Sequence, residues 1–286
     1  MNSSRIYLCG IVGFPIAHTA SPVMHRAAFR YLDLDGTYQA FEVLPENLKP
    51  AIDGIRALGM TGINVTIPHK EKVCRFLDEL SPEAQMIGAV NTIKNDRGHL
   101  VGYNTDADGF GQALEESWKK PIEGHRFAVV GAGGAARAVI VKLAMSGARG
   151  VVCMNRSQER LKSLIRFTQR NFPKQEFTIL TQGDERMIRT VLENVDCVIN
   201  ATSLGMDEKD CLPLDLDLLK REVFLYDLVY RPFETSWVKM AKRQGFKAAG
   251  GFLMLLYQGA KAFQIWTGME PPLSTMKRAL IQFLRH

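Results

Sequence analysis

Gly131-Ala132-Gly133-Gly134-Ala135-Ala136 is the stretch whose residue types and spacing speak most directly of chemistry. It follows an apolar run, Arg126 to Val130, and opens a helix-forming run from Arg137 to Met145. In a G-x-G-x-x-G/A turn the first glycine makes the tight bend and the second lets the backbone approach a pyrophosphate. The third position, here Ala136, must be small for helix and strand to pack. Backbone N–H groups and the positive end of the helix then face the phosphates. About 20 residues on, where an NAD site carries an acid for the ribose 2′-hydroxyl, the chain has Asn155-Arg156-Ser157 and, one turn later, Arg160. An acid there would repel a 2′-phosphate, whereas a guanidinium can hold one through a charge-assisted fork. The spacing therefore predicts a dinucleotide site, with NADP (NADPH) favoured over NAD.

A second set of polar residues sits where core packing does not demand it. Gly13 to Pro22 ends one apolar run and begins a helical one, with Ser21 expected as the N-cap and Pro22 at the first helical position. Thr19 adds a second hydroxyl to the same loop. Gly62 to Lys70 places Thr66 at a strand end and Lys70 about one helical turn further on. Gly88 to Thr92 and Gly102 to Asp106 contribute Asn91, Thr92, Asn104, Thr105 and Asp106. A solitary lysine is ordinarily solvated surface, so Lys70 gains meaning only from this company. In open α/β sheets the loops outside the carboxyl ends of the strands bind ligands. Hydroxyls, amides, one ammonium and one carboxylate suit a polyhydroxylated ring that carries its own carboxylate. None of the six histidines has metal-ligand spacing, and no metal is expected.

Holding such residues requires alternating strands and helices. Ile6 to Val12, Thr37 to Val43 and Gly62 to Thr66 read as strands, with helices over Ser21 to Leu32 and Pro45 to Leu58 and another after Pro68. Ala89 to Lys94 and His99 to Tyr103 flank Asn95-Asp96-Arg97-Gly98, a turn-rich tetrapeptide that closes a β-hairpin. A helix from Asp108 to Lys119 leads through Pro121 and Gly124 into a second series. Its strands are expected at Phe127 to Val130, Val151 to Met154, Phe177 to Leu180, Cys197 to Asn200 and Val223 to Val229. Gly251 to Gly268 predicts a long helix too apolar to stand alone, followed by a last helix from Leu273 to Leu284. The alternation argues for α/β layers and parallel sheets. The expected fold is α/β with two domains. An N-terminal α/β domain covers residues 1–107, with the helices of 251–286 packing back onto it, and a Rossmann-type doubly wound domain covers residues 108–250.

Composition narrows the function classes. The 286 residues suffice for two domains that each bury an apolar core. At 46% hydrophobic and 23% charged, with no run of about 18 apolar residues, the chain reads as neither membrane-spanning nor membrane-bound. Met1 to Gly13 lacks the apolar segment and cleavage site of a secretory signal, so a cytoplasmic protein is expected. Cys9, Cys74, Cys153, Cys197 and Cys211 are scattered without a CxxC pair, which predicts reduced packing residues rather than a disulfide framework or zinc site. The net charge of +6 comes from Lys and Arg interleaved with acids, which argues against nucleic acid and suits small anionic ligands.

Taken in order, Gly13 to Pro22, Asn64 to Lys70, Gly88 to Thr92, Asn104 to Asp106, Gly131 to Ala135, Asn155 to Ser157, Asn200 to Gly205 and Gly251 to Gln258 make the chain resemble the shikimate dehydrogenase family over almost its whole length. The resemblance implies a substrate domain and an NADP domain separated by a deep cleft, with the C-terminal helices returning to the substrate domain. It implies the NADPH-dependent, reversible reduction of 3-dehydroshikimate to shikimate on the route to chorismate and the aromatic amino acids. By the same resemblance Lys70 and Asp106 are the catalytic pair, and Thr19, Ser21, Thr66, Asn91, Thr105, Asp106, Tyr230 and Gln258 contact the substrate. Gly131, Ala132, Gly133, Gly134, Ala135, Asn155, Arg156, Ser157, Arg160, Leu228 and Gly251 would touch the cofactor. One departure bears on specificity: the family's Ser-x-Ser reads Thr19-Ala20-Ser21 here. The extra methyl crowds the end of the pocket that receives the substrate carboxylate, and similar variation occurs in relatives that also take quinate. Shikimate alone and shikimate with quinate both stay open, while the NADP-type Asn155-Arg156-Ser157 weighs toward the biosynthetic direction. The reading from another class is a noncatalytic NADP-sensing protein on the same fold, against which the intact Lys70 and Asp106 argue. The resemblance leaves monomer and homodimer both open.

Overall fold

β1 (Tyr7–Gly13) is buried along nearly its whole length, as expected for a strand with neighbours on both edges and layers on both faces. It belongs to a computed structural model that describes residues 6–180, 185–207, 210, 212 and 214–285. These fall into two units, Met1–Gly109 with Leu255–His286 (unit 1) and Phe110–Met254 (unit 2).

In unit 1, β1 is followed by α1 (Ser21–Tyr31), β2 (Gly36–Glu42), α2 (Leu48–Ala57), β3 (Gly62–Val65), β4 (Glu79–Leu80), α3 (Pro82–Ile87), β5 (Thr92–Asp96), β6 (His99–Tyr103) and the start of α4 (Asp106–Trp118). The strand order is β2-β1-β3-β5-β6-β4. The sheet is mixed: the expected hairpin makes β5 antiparallel to β6, and β5 also runs antiparallel to β3. Asp96 pairs with His99, so the hairpin loop is only Arg97-Gly98, and both residues have positive φ (54° and 94°). That is the primed turn whose twist matches the strands it joins. Reversing β5 brings its first residues to the carboxyl edge of β3, where Asn64 pairs with Thr92.

Two expectations give way. No α-helix follows Pro68; only a 3-10 helix forms, over Lys72–Phe76. The Lys70 carbonyl accepts a hydrogen bond from the backbone N–H of Val90 instead of continuing a helical ladder. Ser21 is not the N-cap of α1. Ala20 holds that position without a side-chain bond, and Ser21 is the first helical residue. Its hydroxyl is therefore not consumed in capping.

One face of the sheet buries Val12, Leu48, Ile52, Ile55, Ile63, Val65 and Ile93 as a core. Against the other lie α1, α9 (Phe252–Thr267) and α10 (Leu273–Leu284), with Phe29, Tyr38, Phe263 and Trp266 fully buried. Trp266 Nε1 donates to the Ile93 carbonyl at 2.9 Å, which satisfies the indole where it leaves water. At about 25 cal/mol per Å², burying a ring of this size contributes roughly 4–6 kcal/mol of transfer free energy. This explains why an apolar tail helix is stable here.

Unit 2 carries β7 (Arg126–Val130), α5 (Gly134–Met145), β8 (Gly150–Met154), α6 (Gln158–Asn171), β9 (Phe177–Leu180), α7 (Glu185–Leu192), β10 (Cys197–Asn200), β11 (Phe224–Asp227), α8 (Ser236–Arg243) and β12 (Lys247–Ala249). All pairs are parallel, in the order β12-β11-β10-β7-β8-β9. Counted within the unit this is the doubly wound arrangement, whose topological switch point lies between its first and fourth strands. Cys9, Cys74, Cys153 and Cys197 form no disulfide among the described residues, and Cys211 lies outside them. No helix among the described residues is long and apolar enough to cross a membrane.

Candidate active site

The carboxyl edge of the unit 1 sheet gathers the polar loops. Thr66 follows β3, its backbone N–H bonded to the Val12 carbonyl, and the N–H of His69 turns back onto the Thr66 carbonyl. His69 is buried, and its Nε2 lies 2.7 Å from the Val43 carbonyl. A carbonyl only accepts, so Nε2 carries the proton and pins this loop. Lys70 comes next, and its ammonium donates to Asp106 Oδ2 at 2.7 Å, with side-chain exposures of 14% and 6%. Asp106 is the first residue of α4, whose amino end is capped by Asn104. The Asn104 Oδ1 accepts from the N–H groups of Asp106 and Ala107 at 3.1 and 3.3 Å. A carboxylate at a helix amino terminus also faces the favourable end of the dipole.

Asn91 joins the remaining members. Its Nδ2 donates to Asp106 Oδ1 (2.8 Å), Thr105 Oγ1 (2.9 Å) and Gln258 Oε1 (3.4 Å), while its Oδ1 accepts from the Thr105 backbone N–H at 2.7 Å. Gln258 enters from α9, where a Cβ on Gly109 would lie 2.7 Å from the Gln258 nitrogen; glycine allows this approach of α4 and α9. Lys70, Asp106, Asn91, Thr105 and Gln258 thus form one cluster. Thr66 is not bonded to it: its hydroxyl bonds no group among the described residues, and its methyl lies against Gly13. Thr19 and Ser21 bond each other, the Thr19 hydroxyl and the Ser21 N–H each reaching across at 3.3 Å, and neither bonds the cluster. Tyr230 belongs to unit 2. Tyr38, Asn64 and His69 are not among the polar residues singled out in the sequence, and Thr92 and Asn104 are singled out there only as members of a polar set with no assigned role; all five are buried. Only Asn104 has a usable signal, the Asn-x-Asp pattern ahead of a helix.

In unit 2 the glycine turn occupies the switch point. Gly131 has φ +126°, and a Cβ there would sit 2.7 Å from the Ala201 carbonyl oxygen at the end of β10. Gly133 is extended and exposed, with open space where a side chain would stand, and precedes the first turn of α5. Ala132, Gly134 and Ala135 are partly exposed, and Ala136 is fully buried against the sheet. Past the end of β8, Asn155 Nδ2 donates to the Ser157 carbonyl (3.1 Å), and Ser157 caps α6 by accepting from the Arg160 N–H (3.4 Å). Arg156 and Arg160 are exposed and pair with no acid among the described residues. An open backbone cradle at a helix terminus, in a unit whose second strand leads into Asn155-Arg156-Ser157 with no acid before Glu159 of α6, fits a dinucleotide with a 2′-phosphate. Leu228 follows β11, and Gly251 packs against its carbonyl while its own N–H bonds the Val229 carbonyl at 3.0 Å.

Asp227 lies fully buried between these segments, paired with no cation among the described residues. It accepts from Asn200 Nδ2 (2.9 Å), the Val229 N–H (3.0 Å) and the Thr235 hydroxyl (2.7 Å). Burial pushes its carboxyl up to about 6, against the pull of those three donors.

The doubly wound sheet and its glycine cradle define a dinucleotide-binding α/β protein. Residues 11–93 match the shikimate dehydrogenase substrate binding domain, residues 113–206 match shikimate / quinate 5-dehydrogenase, and residues 251–281 match the shikimate 5′-dehydrogenase C-terminal domain. The chain belongs to the shikimate dehydrogenase family. A shikimate dehydrogenase (NADP+) of Desulforamulus reducens is 45% identical over 280 residues, 97% of this chain and 96% of that protein. The shikimate 5-dehydrogenase of Thermus thermophilus, solved with NADP(H) and shikimate, is 36% identical with a TM-score of 0.85, covering 98% of this chain and 100% of its own. A quinate dehydrogenase from Corynebacterium glutamicum, solved with NAD, is 30% identical with a TM-score of 0.88 over 97% and 99% of the two chains.

Proposed function

We propose that this protein catalyses the reversible, NADPH-dependent reduction of 3-dehydroshikimate to shikimate, a step toward chorismate and the aromatic amino acids. The observation that carries the reading is the part-buried Lys70–Asp106 ion pair at 2.7 Å, set within a cluster of amides and hydroxyls. Residues 1–107 with 251–286 then form the substrate domain and residues 108–250 the NADP domain. The amides of Gly131 to Ala135 would take the phosphates, Asn155, Arg156, Ser157 and Arg160 the 2′-phosphate, and Leu228 and Gly251 complete the cofactor set. NADPH, when bound, supplies the hydride for the C3 ketone. The Lys70 ammonium stabilises the charge that develops on the C3 oxygen and gives it a proton from Nζ. Asp106 holds that ammonium and accepts from a ring hydroxyl. Asn91, Thr105, Thr66, Gln258 and Tyr230 hold the remaining hydroxyls, and Thr19 and Ser21 receive the carboxylate.

Steady-state kinetics with substrate titration test the pair. Lys70→Met should lower kcat by about 10²- to 10⁴-fold while leaving shikimate Kd within a few-fold, because the charge it meets exists mainly in the transition state. Asp106→Asn should damage both. A Lys70→Met enzyme that keeps more than about a tenth of wild-type kcat would reduce Lys70 to a binding residue. A second reading, use of quinate beside shikimate, is favoured by Thr19 in place of the family's serine. Thr19→Ser should then change the ratio of quinate to shikimate kcat/KM, and an unchanged ratio removes Thr19 as its determinant.

A further inference from the structure

We propose that Tyr38, Asn64 and Thr92 form a buried relay that positions the Lys70–Asp106 pair through the amide of Asn91; this rests on the catalytic reading of that pair. The Tyr38 hydroxyl donates to Asn64 Oδ1 at 2.7 Å. Asn64 Nδ2 donates to Thr92 Oγ1 at 2.9 Å, and the Thr92 hydroxyl donates to Asn91 Oδ1 at 3.1 Å. Asn91 Nδ2 then reaches Asp106 Oδ1, whose partner oxygen holds Lys70. Every donor along this path points toward the carboxylate.

Backbone groups that can play only one role fix that direction. Asn64 Nδ2 also lies 3.0 Å from the Asn91 carbonyl, which can only accept, and Asn91 Oδ1 lies 2.7 Å from the Thr105 N–H, which can only donate. Both amides are therefore locked, with the Asn91 NH₂ toward Asp106. A flipped Asn91 would aim a carbonyl oxygen at a carboxylate oxygen 2.8 Å away. Thr92 occupies the middle of the path, fully buried and joined to both amides; its other side-chain neighbour among the described residues, the Thr105 hydroxyl at 3.3 Å, also bonds Asn91. The far end is no route for protons. Tyr38 is fully buried, its ring stacked on buried His25 at 4.3 Å and against Trp266 at 6.1 Å. The relay holds geometry, and in a dry environment each of its bonds is strong when made and costly when lost.

Thr92→Val removes the hydroxyl at nearly constant shape, and Thr92→Ser restores it. Tyr38→Phe removes the terminal donor alone. Thr168→Val, which deletes a buried hydroxyl bonded to the Leu164 carbonyl in α6 of unit 2, is the control for a generic loss of this kind. Lys70→Met is measured in parallel. The readouts are kcat, shikimate Kd and thermal midpoint, with kcat taken well below every midpoint. Thr92→Val should lose about five- to thirtyfold in kcat with Kd within a few-fold, and Tyr38→Phe should lose about two- to fivefold. Thr92→Ser should return to within about twofold of wild type, and Thr168→Val should leave kcat unchanged. If Thr92→Val does not fold, Tyr38→Phe decides. Full activity in the hydroxyl-deleted variants, a serine variant as poor as the valine one, or an equal loss in Thr168→Val would each overturn the relay. An active Lys70→Met would overturn the catalytic reading and the relay with it. An inactive Lys70→Met beside fully active Thr92→Val and Tyr38→Phe overturns the relay alone.

Discussion

Arg156, which we propose holds the 2′-phosphate, is a single side chain whose role can be tested alone. It stands exposed beyond β8 and is spent on no acid among the described residues, so its charge is available to a ligand at little cost in protein stability. A guanidinium on a 2′-phosphate acts on NADP and not on NAD. Arg156→Ala should therefore lower kcat/KM for NADP by about tenfold or more, roughly 1.4 kcal/mol, while barely changing NAD. Equal losses with both cofactors would make Arg156 structural. This residue is legible in the sequence because its meaning depends on local spacing from a glycine turn. Lys70 is legible only through the resemblance, since nothing near it in the chain distinguishes it from a surface lysine. Its partner Asp106 lies 36 residues away, and the two meet only because β5 and β6 fold back on β3. Tyr38, and the role though not the presence of Thr92, are illegible for a stronger version of the same reason. Their roles exist only in side-chain hydrogen bonds between strands distant in sequence.

Elements show where periodicity suffices and where it does not. The range Leu273–Leu284 follows in full from its apolar spacing, and the Arg97-Gly98 hairpin from its turn residues. α3, β4 and β12 escape such reading, because spans of six, two and three residues are too short to display a period. The helix expected after Pro68 fails for a tertiary reason, the Val90 bond to the Lys70 carbonyl, which no local propensity encodes. The contact of α4 with α9 is another such case, and it offers a test. A methyl at Gly109 has the Gln258 backbone nitrogen and Cβ within 3.0 Å, so α9 must move for it to fit. Gly109→Ala should destabilise the protein by about 1–3 kcal/mol, as overpacking does, and raise shikimate KM by withdrawing Gln258 from Asn91. Chemical denaturation and steady-state kinetics on the same sample check both. Unchanged KM with lowered stability would separate the helix contact from the site.

At the scale of the whole molecule, the two units each bury one ionisable group whose titration opposes the other's. In unit 1, His25 is fully buried among Tyr38, Phe263 and Trp266, neither ring nitrogen has a hydrogen-bond partner, and burial pushes its pKa from 6.5 down to about 3. Between these values the unfolded chain binds the proton and the folded chain does not, so stability is complete above 6.5 and is lost as pH falls toward 3. In unit 2, burial raises Asp227 from 3.8 to about 6. Here the folded chain binds the proton more tightly, so stability is greatest below 3.8 and is lost as pH rises to about 6, by roughly 3 kcal/mol at most. Over about pH 4 to 6 the two slopes run against each other. His25→Phe removes the first without stranding a hydrogen-bond partner, and Asp227→Asn removes the second. Unfolding free energies at about pH 4.5 and 7 should show His25→Phe gaining on wild type by about 2–3 kcal/mol more at the acid pH than at neutrality. Asp227→Asn should gain more at neutral than at acid pH, since it replaces a carboxylate that is charged and costly only at the higher pH. Amide exchange on the same variants would place each change in its own unit. A His25→Phe difference that is the same at both pH values would mean that the ring already finds a proton or a partner in the folded protein, and the aromatic box would not be the dry cavity its geometry describes.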